Sequence, residues 1–327
     1  MLNSTVAKKY SKKLKSIVRE VDKYVIGQSK ITETIIKCMI CDGHCLLEGV
    51  PGVAKTMLAL ILSKTIEGAV FKRIQFTPDL LPSDILGTVI YREEISDFEV
   101  YKGPIFANIV LADEINRTPP KVQSAMLEAM QERQVTIGKQ TYPLPKPFFV
   151  IATQNPVETR GVYPLPEAQV DRFLFKIIVT YPSKEHEKMV IDHNLEVKRL
   201  EEFDIPKLIT LNEITELQKL VKDVHSSREI KEYIVHIVNA TRHLSELGLE
   251  EERYIKWGAS PRASIFLNLA AKANALFEGR NFVMPEDVRK VAYDVLRHRI
   301  ILNYEGVALG IRVEDIITKI LKSVKVE

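Results

Sequence analysis

The sequence predicts an α/β protein: a parallel five-stranded sheet flanked by helices, followed by an all-α domain. Three observations carry this. Five short β-rich apolar runs recur in the first half: "HCLLE" (44–48), "VFKRIQF" (70–76), "NIVLA" (108–112), "FFVIAT" (148–153) and "FKIIVT" (175–180). Helical patterns fall between most of them, as in a sheet covered on both faces. After "YPSKE" (181–185) the strand-like runs stop and helical periodicity continues to the end. With 327 residues, 46% of them hydrophobic and 27% charged, the chain suffices for two domains of ordinary size. The boundary is expected near Pro182, giving an α/β domain over 1–182 and a helical one over 183–327.

Taken in order, residues 1–24 set Val6, Tyr10, Leu14, Ile17 and Val21 at helical spacing with lysines opposite, an amphipathic helix. "ITETIIKCMICDG" reads as a helix ending near Gly43 that feeds the first strand. Cys38, Cys41 and Cys45 form C-x-x-C-x-x-x-C beside His44. That spacing invites a metal or redox reading, but helix and strand make the thiols small core residues, and an odd count argues against a disulfide framework. "RQVTIGKQTYPLP" has β-favouring arms around Gly138 and reads as a hairpin.

In the second half, Thr210 and Glu213 stand in capping-box spacing ahead of a stripe of Leu211, Ile214, Leu217, Leu220, Val221 and Val224. A second helix carries Tyr233, Ile234, Ile237, Val238, Thr241 and Leu244. A third is punctuated by Ser260 as N-cap, Pro261 at the first helical position and Gly279 past the end. Met284 precedes Pro285 where a capping Ser, Thr or Asp is favoured, a local weakness.

Composition limits the function classes. Forty-six basic against 43 acidic side chains leave +3, too little to imply nucleic acid or an anionic membrane by itself. The longest apolar runs, "MLALIL" (57–62) and "FFVIA" (148–152), fall far short of the ~20 residues of a membrane helix. The lysines of "KKYSKKLK" are followed by no apolar stretch or small-residue cleavage site, so a secretory signal is not expected. The expected location is the cytoplasm.

The chemistry is concentrated in two places. "LLEGVPGVAKT" (46–56) is a phosphate loop of the form G-x-x-x-x-G-K-[ST], except that Ala54 replaces the last glycine. Such a loop wraps backbone N–H groups around an anion at a helix N-terminus. Gly49 opens the turn, Gly52 is expected in a conformation closed to residues with a Cβ, and Ala54 is expected at a helical φ on entry to "MLALILSKTI". The nucleotide-binding segment is Gly49, Val50, Pro51, Gly52, Val53, Ala54, Lys55, Thr56 and Met57. Lys55 would neutralise the outer phosphates and the Thr56 hydroxyl would coordinate Mg²⁺. "NIVLADEINR" places Asp113 and Glu114 at the C-terminal end of a buried strand, where ligands of open α/β sheets bind. Asp113 suits the nucleotide's Mg²⁺, and Glu114 suits orienting or deprotonating an attacking water. Alone, an Asp-Glu pair ending a strand is more often a solvated turn; the phosphate loop gives it meaning.

At this point the chain resembles the MoxR family of AAA+ ATPases over nearly its full length. "GVPGVAKT", with alanine before lysine, looks like that family's own loop. "KGPIFANIVLADEINRTPPKVQSAMLEAMQERQVTIG", "ATQNPVE", "YPLPEAQVDRF" and "GASPRAS" are similar to further MoxR segments, in family order. The resemblance implies a P-loop AAA+ core with a helical lid, assembled into rings, usually hexamers, with ATP between neighbouring subunits. It makes "VIGQ", beginning with Val25 and Ile26, the segment near the adenine, Asn155 the first sensor, Arg172 the arginine finger and Arg262 the second sensor. Arg160 and Arg117 are further candidates for the finger.

Read from residues alone, Arg262 falls in a first helical turn, where a cation opposes the helix dipole at about 0.3–1 kcal/mol; either a phosphate or a nearby carboxylate could offset that. "FTPDLLPSDILGTVIYRE" and the Gly138 hairpin look like MoxR specialisations, which in relatives face the ring's pore or its client. The function so implied is Mg²⁺-dependent ATP hydrolysis that remodels or matures a protein client, often with a partner carrying a von Willebrand factor A domain, expected on a separate polypeptide. The competing class is the motor subunit of a chelatase or of a nucleic-acid-acting complex. The near-neutral charge disfavours nucleic acid. A nucleotide switch without turnover is disfavoured by the presence of both Glu114 and Asn155.

Overall fold

The computed structural model describes residues 2–50, 52–156, 161–193 and 204–326; Pro51 and Arg160 lie outside them. The chain forms two compact units, one of Lys15–Phe173 and Ile177–Thr215, the other of Met1–Leu14, Leu174–Lys176 and Glu216–Glu327.

The chain opens with helix α1 (Ser4–Asp22) and helix α2 (Ser29–Ile40). Tyr10, Leu14, Ile17 and Val21 of α1 are buried, as its periodicity requires. Its first turns belong to the helical unit, where the Tyr10 hydroxyl donates to Glu216 at 2.6 Å and Ser11 Oγ to the Phe277 carbonyl at 2.5 Å.

All five expected strands form one sheet. They are β1 (Cys45–Gly49), β2 (Phe71–Gln75), β3 (Ile109–Asp113), β4 (Phe149–Gln154) and β5 (Phe175–Val179), in the order β5-β1-β4-β3-β2. The β1–β4, β4–β3 and β3–β2 pairs are parallel, with Leu47 opposite Thr153, Ala112 opposite Ala152 and Gln75 opposite Asp113. β3 is buried along its whole length and β4 along its first five residues, hence their continuous apolar character. Helix α3 (Lys55–Lys64) follows the loop after β1. A core of Phe76, Val110, Met126, Leu127, Val150 and Phe173 packs on this sheet.

Cys38, Cys41 and Cys45 are buried thiols, not disulfide-bonded, in α2, its end and β1. Burial pushes the Cys41 thiol up, which suppresses the reactive thiolate. His44 is buried too: its Nδ1 accepts from the Val150 N–H at 3.0 Å and its Nε2 faces the Met130 carbonyl at 3.1 Å. Val150 can only donate and Met130 only accept, so the ring is the neutral Nε2–H tautomer.

Two antiparallel hairpins leave the sheet. Gln134–Ile137 pairs with Gln140–Pro143 across Gly138, as expected. The second was not foreseen as strands: after a short helix at Pro82–Leu86, Gly87–Arg92 pairs with Asp97–Lys102. Both of its faces are largely exposed, so no apolar alternation marks it.

The helices of the second half follow their expected punctuation. Thr210 and Glu213 exchange hydrogen bonds of 3.0 and 3.2 Å in a capping box. The helix Arg228–Ala240 buries Tyr233, Ile234, Ile237 and Val238. The helix Pro261–Phe277 starts after Ser260 and ends in a Schellman turn, with Gly279 N–H to Leu276 O at 2.9 Å and Arg280 N–H to Ala275 O at 2.8 Å. Two details differ from expectation. Short strand pairs do occur past residue 182, at Ile209–Thr210 with Ile66–Glu67 and at Ile255–Trp257 with Ile301–Leu302. The helix Pro285–Leu296 is not weakly started: the Asp287 carboxylate reaches back to the Met284 N–H at 2.7 Å and is itself gripped by Arg280 at 2.7 and 2.6 Å and by Asn274 at 2.6 Å. The cap comes from the third helical residue rather than from position 284. No described helix is long and apolar enough to cross a membrane.

Candidate active site

The candidate site is assembled at the C-terminal ends of β1, β2, β3 and β4, within one compact unit. β1 ends at Gly49, where a Cβ would lie 2.3 Å from the Val179 carbonyl oxygen of β5; only glycine permits that approach. The loop then turns through Gly52 at φ +82°, with nothing within 4 Å of the place a Cβ would occupy. This matches the expectation for Gly52.

The expectation for Ala54 is overturned. It stands at φ +55°, ψ +26°, in the left-handed region, as the residue capping α3. A cap residue sits outside the helix it starts, so its backbone need not be helical. Here the wrap demands a conformation that glycine accepts freely and a residue with a Cβ accepts at about 1–2 kcal/mol. Ala54 is the smallest side chain that incurs that cost.

Ala54 offers no side-chain acceptor, so α3 begins without a side-chain cap and its first N–H groups are directed at the loop, the arrangement that binds anions. Lys55 Nζ donates to the Gly49 carbonyl at 2.6 Å, folded over the loop. Burial pushes its ammonium below the ordinary lysine value, against the attraction of Asp113, Glu114 and Glu48. Gln28, buried at the start of α2, donates to the Val53 carbonyl at 2.6 Å and ties the loop to that helix.

The Asp113 carboxylate and the Glu114 backbone are fixed by a threonine that the sequence reading did not single out. Thr153, on β4, donates its hydroxyl to Asp113 Oδ1 at 2.6 Å and accepts the Glu114 N–H at 2.8 Å. Glu114 itself takes a left-handed backbone, φ +57°. Asp113 Oδ2 faces the Thr56 hydroxyl at 3.4 Å and receives Arg73 Nε and Nη2 at 3.0 and 2.7 Å. Glu114 Oε2 receives Gln75 Nε2 at 2.8 Å and Arg117 Nη1 at 3.0 Å. Arg73 and Gln75 alternate with buried Ile74 on β2. Two polar residues flanking an apolar one in an edge strand were the available signal; their relevance follows only once β2 is known to lie beside β3.

These residues fit a nucleoside triphosphate with a divalent cation. The uncapped N-terminus of a ten-residue helix, a half-buried ammonium on the loop, and a hydroxyl and carboxylate 3.4 Å apart are the donor and acceptor set such a ligand needs. The remaining expected residues are placed as follows. Val25 and Val53 are buried; Ile26, Val50, Thr56 and Met57 are partly buried. Asn155, also buried, immediately follows β4. Arg172 lies just beyond the short helix Glu167–Val170. Arg117 is paired with Glu114 of its own chain. Arg262 is the second residue of the helix Pro261–Phe277, in the helical unit.

Comparison with known proteins agrees with this geometry. Residues 44–175 match the ATPase family associated with various cellular activities (AAA), and residues 249–320 match the AAA lid domain. The chain is 46% identical to Chaperone MoxR1 of Mycobacterium tuberculosis, over 95% of this chain and 81% of that protein. It is 30% identical to Protein MoxR of Methylorubrum extorquens, over 87% of this chain and 86% of that one. A crystal structure from Cytophaga hutchinsonii described as a candidate ATPase superposes with a TM-score of 0.89 at 50% identity, covering 98% of this chain and 97% of its own. With the phosphate loop, the carboxylate pair and the lid in the same order along the chain, this protein belongs to the MoxR family of AAA+ ATPases.

Proposed function

We propose that this ATPase uses Mg²⁺-dependent ATP hydrolysis to remodel or mature a protein client. The observation that carries the site reading is the approach of Thr56 Oγ1 and Asp113 Oδ2 to 3.4 Å, which joins the phosphate loop to the acidic strand end. Thr56 and Asp113 are the residues that would hold Mg²⁺, and the cation would supply neutralisation of phosphate charge.

The protein's own groups do the rest. The α3 N-terminus and Lys55 bind and orient the phosphates. Glu114 orients the attacking water and accepts its proton. Gln75 and Arg117 both donate to its Oε2 and fix the direction of the carboxylate. Asn155 assists at the water from the end of β4. Val25 and Ile26 border the base. In this reading residues 1–182 supply the nucleotide core and 183–327 the lid; the compact units divide differently, with 1–14 and 174–176 in the helical unit and 183–215 in the unit of the core. Arg262 reports nucleotide state from the lid. Arg172 is the arginine finger offered to a neighbouring subunit's ATP; Arg117 is the weaker candidate because it is engaged by Glu114. This reading makes the working form a ring, a hexamer in keeping with the family resemblance, located in the cytoplasm, with a von Willebrand factor A domain protein as a companion.

Glu114→Gln tests the reading. The variant should bind ATP with unchanged affinity while steady-state hydrolysis falls ~100-fold or more. Turnover equal to the wild type would remove Glu114 from the chemistry.

A further inference from the structure

Strand β5 is held from two sides. On one side its Val179 carbonyl meets Gly49: a Cβ there would lie 2.3 Å from the oxygen and 3.1 Å from the carbon, so the C=O bond points at the opening of the phosphate loop. Carbonyl direction alternates along a strand, which turns those of Lys176 and Leu174 the opposite way. β5 is the edge of the five-stranded sheet, so these outward oxygens need partners from outside it.

Two arginines supply them. Arg297 Nη1 donates to the Lys176 carbonyl at 2.7 Å and Arg299 Nη1 to the Leu174 carbonyl at 3.4 Å. Both arginines follow the helix Pro285–Leu296, where Arg299 also donates to the Val295 carbonyl and Arg297 pairs with Asp294 and Glu314 at 2.7 and 3.2 Å. Arg297, Arg299 and Leu174–Lys176 belong to one compact unit, and the rest of β5, with Gly49, to the other. The strand therefore runs from the helical unit to the phosphate loop.

Arg299 has a further contact. It is 4% exposed, and its guanidinium lies 5.0 Å from the centre of the Phe266 ring, a cation–π placement. Phe266 stands one helical turn after Arg262 on the helix Pro261–Phe277, so the two share a face. A planar guanidinium serves a ring face and two carbonyls together, which an ammonium does not. We propose that Arg299 is a positioning residue for ATP turnover: through Leu174 and Phe266 it fixes the helix that bears Arg262 to the strand that braces the phosphate loop. Nucleotide at the loop is thereby coupled to the order of that helix, and the coupling is reciprocal. The proposal rests on the ATPase reading of the site.

The test compares the full chain as wild type, Arg299→Lys and Phe266→Leu, the last removing the ring face at a half-buried position. Turnover is expressed per bound nucleotide, so that loss of folded protein does not count. Both variants should keep their affinity for a non-hydrolysable ATP analogue within about 3-fold while kcat falls roughly 10-fold, the split expected when alignment is lost and binding is kept. With analogue and Mg²⁺, amide hydrogen exchange of the wild type should slow in residues 46–58 and also in 262–270. In the variants the first protection should remain and the second should disappear. Turnover per bound nucleotide equal to the wild type's, or undiminished protection of 262–270 in the variants, would overturn the positioning role. So would a wild type in which 46–58 is protected and 262–270 is not. A wild type without protection in 46–58 would instead overturn the nucleotide reading beneath it.

Discussion

Lys55 illustrates how much one ammonium contributes at the residue scale. It is half-buried, folded onto Gly49, and surrounded at longer range by Glu48, Asp113 and Glu114. Lys55→Ala should weaken ATP binding ~100-fold or more, measured by equilibrium titration, because phosphate charge then meets only backbone dipoles. Ala54→Gly should leave binding intact and move stability by less than ~1 kcal/mol, since glycine relieves the left-handed strain but adds unfolded-state freedom. His44 gives a pH prediction. Burial holds its folded-state pKa well below the usual 6.5, with Arg133 adding to the effect. A histidine buried neutral contributes stability above its unfolded pKa and loses it as pH falls further, toward the folded value. The unfolding free energy from urea titration should therefore fall as pH drops below ~6.5, with a slope approaching ~1.4 kcal/mol per pH unit from this group. The same titration of His44→Gln should lack that component.

Most of the residue-level site was legible: Lys55, Thr56, Asp113, Glu114 and Gly52 stand in local patterns whose chemistry is readable in order. Ala54's backbone was not, because the choice between helical and left-handed φ depends on how the loop meets β1. Thr153, Arg73 and Gln75 were not either. They act across 39 or 40 residues of sequence, and only the strand order brings them to Asp113 and Glu114.

At the scale of elements, strands with both faces covered were recognisable from apolar runs, and helices from their caps. The 87–102 hairpin escaped because its strands are exposed along most of their length. The start of the helix Pro285–Leu296 escaped because the capping carboxylate lies inside the helix, at Asp287, rather than ahead of it. That carboxylate is 1% exposed and holds Arg280, Asn274 and the Met284 N–H. Asp287→Ala strips the cap and leaves Arg280 without its partner, at an expected cost of about 3–5 kcal/mol in chemical denaturation. The Gly49 position is equally intolerant: Gly49→Ala would place a methyl against the Val179 carbonyl, separating β1 from β5 and lowering both stability and ATP binding.

At the scale of the whole molecule, the finger assignment makes a prediction about assembly. If Arg172 acts on a neighbour, Arg172→Ala and Glu114→Gln preparations should each be inactive alone, yet regain measurable turnover when mixed and allowed to exchange subunits. In a mixed ring, some interfaces join an intact Glu114 to an intact Arg172. Mixtures with no more activity than the sum of their parts would assign Arg172 a role within its own subunit.

The sheet order β5-β1-β4-β3-β2 has a further consequence for biosynthesis. Both neighbours of β1 come late in the chain, at Phe149–Gln154 and Phe175–Val179. A ribosome adding ~5–20 residues per second needs roughly 5–20 s to travel from Gly49 to Phe149. Throughout that interval the nascent chain carries the apolar segment "CLL" with no strand to pair with. The nucleotide pocket is thus completed only after β4 and β5 have emerged, long after its phosphate loop.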